Sequence, residues 1–205
     1  MASNDYRFHT TWRVEATPDE VSAILAEPTE LPRWWPSVYL EVREVGAGQP
    51  DGVGRVHAFY TKGWLPYTLR WSGRVTELDA PRTIAFDVFG DFEGAGRWTL
   101  APDGAHTVVE FEWAVRAEKP LLRDLSSALR AVFKANHDWA MARGEEALKL
   151  EILRRRASSS EERAKVSAPR RATTASSLPL ILGAVGTVAA TVAAVVLIGR
   201  RPRDV

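Results

Sequence analysis

Between Val38 and Arg116 apolar residues recur at every second position; after Glu118-Lys119-Pro120 they recur at every third or fourth, to about Arg156. A change of period from 2 to 3.6 within one stretch of chain permits few architectures. Alternating segments joined by short turns form consecutive antiparallel strands, and the sheet they make needs one covering layer. The single long periodic segment at 120–156 is the available cover. The expectation is an α+β domain in which about seven antiparallel strands are closed by a long helix.

The strands read as Tyr6–Val14, Val38–Val45, Val53–Thr61, Leu65–Leu78, Thr83–Phe89, Asp91–Leu100 and Thr107–Arg116. On the first, Tyr6, Phe8, Thr10, Trp12 and Val14 share a face, with Arg7, His9, Thr11 and Arg13 opposite. Leu65, Tyr67, Leu69, Trp71, Gly73 and Val75 form the same kind of row, as do Ile84, Phe86 and Val88, then Phe92, Gly94, Gly96, Trp98 and Leu100, then Val109, Phe111, Trp113 and Val115. Thr17-Pro18-Asp19-Glu20 has the form of a helix start: Thr as cap, Pro in the first turn, Glu three residues on. Pro28, Pro32 and Pro36 then confine the chain around Arg33-Trp34-Trp35 to a short helix or turns. On the long helix, Leu122, Leu125, Leu129, Val132, Asn136, Trp139, Arg143 and Ala147 trace one face.

The chain beyond Arg156 has a different character. Residues 1–156 carry 20 Lys and Arg against 23 Asp and Glu, whereas 157–205 carry 7 against 3. A mildly acidic domain is a poor nucleic-acid partner, and a basic tail suits an anionic membrane surface better. Residues 157–177 hold few large apolar side chains and read as a flexible linker. Residues 178–198, LPLILGAVGTVAATVAAVVLI, contain no charge in 21 positions. As a helix they rise about 31 Å, against a hydrocarbon core of roughly 30 Å. No polar stripe can be drawn around them, so a transmembrane helix is expected there, followed by a basic tail at 199–205. The start of the chain shows no basic segment leading into an apolar one. The expected arrangement is therefore a single-pass, tail-anchored membrane protein with its N-terminal domain in the cytoplasm.

Chemistry is sparse. Without cysteine there is no thiolate nucleophile, disulfide or Cys-built zinc site. The four His are scattered: His9 shares a face with arginines, His106 adjoins a turn, His57 lies on a strand of unassigned facing, and His137 sits mid-helix. No His or carboxylate pair stands at i, i+4 with a third ligand evident, and no Gly-x-Ser-x-Gly elbow exists. Neither cofactor nor metal is expected. Asp87, Glu93, Glu110 and Glu112 lie opposite the apolar rows and read as solvated.

Four stretches carry a resemblance: LPRWWPSVYLEV, GVGRVHAFYTKGWLPYTLRWSGRVTEL, GDFEGAGRWTLAPDGAHTVVEFEW and EKPLLRDLSSALRAVFKANHDWAMARGEEALKLE. Together they span most of residues 6–156, and they resemble the START-like (SRPBCC) superfamily, in its polyketide cyclase/dehydrase and lipid-transport group. That resemblance implies a helix-grip fold over 1–156, with a cavity between curved sheet and C-terminal helix for an apolar or amphipathic ligand. All eight Trp fall within residues 1–139, which suits a greasy concavity. The candidate ligand-binding residues are Trp35, Phe59, Tyr67, Trp71, Phe86, Trp98, Phe111, Trp113, Asn136 and His137.

The leading functional expectation is a membrane-tethered module that transports or senses a lipid or other hydrophobic small molecule. The alternative is a cyclase- or aromatase-like enzyme, for which Asn136, His137, Arg97 and Tyr67 are the polar candidates. A protein-interaction adaptor is a third class; Arg70, Ser72, Arg74 and Thr76 on the outer sheet face argue against it. Nothing in the sequence fixes an oligomeric state.

Overall fold

The computed structural model describes residues 5–118 and 127–172. Strand β1 (Asp5–Val14) leads through Ala16 into helix α1 (Pro18–Leu25). The capping box forms as read: the Thr17 side chain accepts from the Glu20 amide while Glu20 accepts from the Thr17 amide at 2.9 Å. A single 3₁₀ turn (Pro28–Glu30) and a four-residue helix α2 (Leu31–Trp34) follow. Strands β2 (Tyr39–Gly46), β3 (Val56–Lys62), β4 (Thr68–Asp79), β5 (Thr83–Gly90), β6 (Phe92–Asp103) and β7 (His106–Ala117) complete the sheet. Helix α3 (Ser127–Arg156) and a short α4 (Ser160–Lys165) end the described chain.

The seven strands form one antiparallel sheet in the order β1-β7-β6-β5-β4-β3-β2. Consecutive strands are neighbours from β2 to β7, and β1 closes on β7 over its whole length, from Asp5 opposite Arg116 to Val14 opposite Thr107. Alternation puts Trp12, Val14, Leu69, Trp71, Ile84, Val88, Trp98, Leu100, Val109, Phe111, Trp113 and Val115 into the core. A register shift between Val75 and Glu77 inserts one residue into β4. This bulge reverses the alternation beyond it, so that both Val75 and Leu78 line the inner side. Two strands begin later than the apolar alternation implied, at Val56 and Thr68, because Val53–Arg55 and Leu65–Tyr67 belong to turns.

The helix face corrects the expectation. Val132, Trp139 and Arg143 are only half-buried, whereas Met141, Gly144, Ala147, Leu148, Glu151 and Ile152 are buried. The inward stripe is rotated by about one position from the traced one, and Gly144 shows why. A Cβ at Gly144 would lie 2.3 Å from the Trp35 ring, so the helix turns its one missing side chain toward that indole. Trp35 in turn packs on Trp12, Trp34 and Tyr39 at ring-centre distances of 5.7, 5.6 and 5.1 Å. The indole N–H groups of Trp12, Trp34 and Trp35 are buried without an acceptor among the described residues, so ring packing holds this cluster.

A buried carboxylate fixes the same end of the helix. Glu151, 1% exposed, accepts both guanidinium nitrogens of Arg33 at 2.9 and 2.8 Å and Arg155 Nε at 2.9 Å. Burial pushes the Glu151 carboxyl up, but the two arginines outweigh it and hold the group below its ordinary value. Arg156 adds an exposed pair with Glu20, tying α3 to α1.

Beyond Arg156 the chain holds more local structure than its composition implied. Ser159 caps α4, and Arg154 donates to the Ser167 carbonyl. Arg170 meets Glu146 at 3.2 Å, and the Ala172 amide donates to the Pro36 carbonyl at 3.1 Å. Residues 157–172 thus run back along α3, held by side chains that a composition count treats only as solvated. Among the described residues no helix is long and apolar enough to cross a membrane. The span expected at 178–198 lies outside the described residues, as does 173–177.

Candidate functional site

Between α3 and the inner sheet face lies a cavity of about 160 Å³. Sheet alternation supplies its floor. Trp71 from β4, Phe86 from β5, Trp98 from β6, and Phe111 and Trp113 from β7 point the same way. They pack as a continuous aromatic surface, with Trp98 on Phe111 at 4.0 Å and Trp71 edge-on to Trp113 at 5.5 Å. Trp35 closes one side, and Tyr6 and Phe8 from β1 close the other. The roof is α3, through Phe133, Asn136, His137, Ala140 and Met141.

Of the candidates from sequence, the structure brings Trp35, Tyr67, Trp71, Phe86, Trp98, Phe111, Trp113, Asn136 and His137 to this one cavity. Phe59 is not among its lining. It stacks behind Trp71 at 4.0 Å and faces a second, smaller cavity of about 70 Å³. Trp35, Tyr39, Trp71, Phe86 and Trp98 border both spaces and divide them. Arg97 is on the opposite sheet face, paired with Glu77, because inward Trp98 forces its neighbour outward. Sequence reasoning did not select Tyr6, Phe8, Tyr39, Phe133 and Met141. The β1 face already offered Tyr6 and Phe8, whereas Phe133 and Met141 required the rotated helix face.

The polar groups are few and mostly committed. Thr61 Oγ1 accepts from Trp71 Nε1 at 3.2 Å. His137 Nε2 lies 3.4 Å from Thr10 Oγ1, and its ring stacks on Phe8 at 4.2 Å. Burial, rather than the opposing nearby charges of Asp138 and Lys134, pushes the His137 pKa down to about 4, so the ring is neutral at neutral pH. Burial raises the Tyr67 phenol, which stays protonated. Lys62, at the end of β3, borders the cavity as well; the rest of the lining presents apolar surface and neutral dipoles.

One loop covers its edge. Asn136 Oδ1 accepts the Trp64 amide at 3.0 Å and the Leu65 amide at 3.4 Å, holding Gly63–Pro66 against α3. Two backbone donors fix which end of the carboxamide faces the loop. A Cβ at Gly63 would stand 2.1 Å from that oxygen, so only glycine permits the latch. The expected ligand residue is thus also the fastening of a loop whose tip exposes Trp64. Among the described residues no three His, Asp or Glu side chains gather where a metal ion could sit.

A family model described as "Polyketide cyclase / dehydrase and lipid transport" matches residues 6–149. Solved structures share the fold at low identity. The Thermus thermophilus protein TTHA0849 aligns with a TM-score of 0.63 at 17% identity, covering 74% of this chain and 100% of its own. The Zhui aromatase/cyclase of a Streptomyces species gives 0.60 at 20%, covering 75% and 97%. A START superfamily protein from Mycobacterium smegmatis gives 0.58 at 14%, covering 71% and 96%. A comparison with curated proteins gives no match.

Proposed function

The chain belongs to the polyketide cyclase/dehydrase and lipid transport family, and we propose that it binds a lipid or other hydrophobic small molecule while tethered to a membrane. The observation that carries the reading is the aromatic cavity under α3, with His137 neutral and, among the described residues, Lys62 as the one charged side chain on its border. Such a lining favours an apolar body, because an ion among the rings would lose its hydration without a partner; a charge is available only at the Lys62 edge. At about 160 Å³ the cavity compares with the roughly 150 Å³ apolar space that accepts benzene, so a larger ligand must widen it. The loop latched by Asn136 and the helix end above it are the parts able to yield.

The tether rests on the sequence. The uncharged run at 178–198 suits a single span, and a cavity on a tethered domain draws its cargo from lipid. Native mass spectrometry of the full chain, released from detergent after exposure to total membrane lipid, tests the cargo. A retained hydrophobic adduct supports the reading; bare protein under every condition overturns it. Paired Val188→Arg and Val192→Arg substitutions test the tether, since each charge costs roughly 2.5–3.5 kcal/mol at a span's centre. The variant should move from the membrane to the soluble fraction of cells.

A second reading is a cyclase-like enzyme on a membrane-soluble substrate, and the position of His137 favours it. A neutral imidazole oriented by Thr10 beside the cavity is able to accept a proton from bound substrate. On that reading His137→Ala abolishes turnover while ligand binding persists; joint loss of both favours binding alone.

A further inference from the structure

The second cavity, about 70 Å³ behind the aromatic divide, differs in chemistry from the first. The buried polar side chains among the described residues include Ser22, Ser37, His57, Thr61, Thr107 and Glu151. Only His57 of these lines the inner space. Thr107 is spent on the Ala16 carbonyl, Thr61 on Trp71, and Glu151 on its arginines. His57 is 3% exposed, and Glu44 Oε2 stands 3.7 Å from its Nε2, beyond hydrogen-bonding distance. Tyr39, whose phenol burial holds protonated, borders the same space from β2. A nearly buried imidazole beside open volume is costly to leave unmatched, and only side-chain rings separate that volume from the ligand cavity.

Resting on the ligand-binding reading above, we propose that the inner cavity is a subsite for the polar end of the ligand, with His57 as its hydrogen-bonding anchor. The ligand class follows: an elongated, uncharged apolar molecule carrying a hydroxyl or carbonyl at its leading end. Charge selects against an anion there. Arg55 also borders this space, but its guanidinium stands 3.7 Å from Glu44 and is already offset, and Glu44 and Glu27 both act on His57. A hydroxyl or carbonyl needs only the donor and acceptor that a neutral imidazole provides. Entry past Trp71 and Phe86 requires those rings to turn, which joins the two spaces into one slot for a rigid, flat or linear body.

The test uses the full chain with biphenyl, 4-phenylphenol and biphenyl-4-carboxylate, free ligand being measured by dialysis against protein-free detergent solution. The expected result is that 4-phenylphenol binds about tenfold more tightly than biphenyl, the size of one good neutral hydrogen bond. His57→Phe should erase that preference and leave biphenyl within about twofold, while His57→Gln keeps most of it. His57→Leu repeats the loss if the bulkier ring disturbs folding. In ¹⁵N spectra the His57 ring resonances should shift on adding 4-phenylphenol. Survival of the preference in both His57→Phe and His57→Leu overturns the proposal, as does a shift at His137 in place of His57, or tightest binding of the carboxylate. Binding of biphenyl with no preference for the phenol removes this subsite and leaves the ligand-binding reading standing. Failure of all three probes to bind removes both.

Discussion

From Gly144 to Arg156, α3 is keyed into the domain by a glycine against Trp35, a doubly bonded Glu151 and a pair between Arg156 and Glu20. From Phe133 to Met141 the same helix roofs a cavity, and what fastens it there is a carboxamide on a loop, a long contact from His137 to Thr10 and ring contacts of His137 and Phe133 with Phe8, Tyr6 and Tyr67. One element therefore has a rigid half and a half with empty space beneath it. The difference teaches where a small cavity could widen for the larger ligand proposed above. On the proposed ligand-binding reading, the keyed half would keep the helix on the sheet while the other half and the Gly63–Pro66 loop yield.

The largest test of this contrast is Gly144→Val. It forces a side chain into the buried Trp35 ring and should cost about 3 kcal/mol in urea unfolding. Phe133→Ala, on the cavity half, should cost less than half as much, because Phe133 is only partly buried and already borders empty volume. Equal losses at the two positions would break the contrast.

Next in size is the charge cluster. Arg33→Met leaves Glu151 buried with Arg155 alone and should destabilise by roughly 2–3 kcal/mol. Replacing the pair together, Arg33→Met with Glu151→Leu, should recover most of that loss, since the fully buried carboxylate is gone and Arg155, left without it, is exposed enough to be solvated. A double variant no better than the single one would show that the pair acts through something other than its buried charge.

The third test is pH. His137 is neutral in the folded protein down to about 4, whereas the unfolded chain takes up that proton near 6.5. The unfolded state therefore binds more protons between those values, so this stability is fully present above about pH 6.5 and is lost as pH falls toward 4. The expected loss is on the order of 2 kcal/mol, read from unfolding curves, and His137→Phe should flatten it. A ligand seated beside His137 should shift the same profile, which sharpens the comparison by placing the pH response on the cavity half.

The smallest expected effect is at Asn136→Ala, about 1 kcal/mol, from losing the acceptor for two amides. Its larger signature is kinetic: faster hydrogen exchange at Trp64 and Leu65, and faster ligand uptake. Unchanged exchange at those amides would mean the loop is held elsewhere.

Much of this was legible in the chain. Period-2 alternation assigned the inward rows on β4 to β7, and Thr17-Pro18-Asp19-Glu20 specified the start of α1, because strand facing and helix capping are decided within a few residues. The cavity floor of Trp71, Phe86, Trp98, Phe111 and Trp113 follows from that alternation alone. Phe59 shares the alternation yet sits behind Trp71, since the stacking order of two inward rings depends on how adjacent strands meet. Arg97 was separable by the same parity, its inward neighbour Trp98 leaving it no other side.

What only the tertiary structure decided involves partners far apart in sequence. The inward face of α3 is set by where Trp35 needs space, and local periodicity cannot distinguish Gly144 from a neighbour one position around the helix. Arg33 and Glu151 are separated by 118 positions, and nothing near either predicts the other. Asn136 reads as a cavity side chain from its helix position, but its role as a latch exists only because Gly63–Pro66 folds onto it. The same holds for His57, whose strand position is local and whose burial beside an inner space is not. Local geometry determined what each element is and which way its strands face; the identity of the groups that meet was decided by packing, because burial is a property of the whole fold.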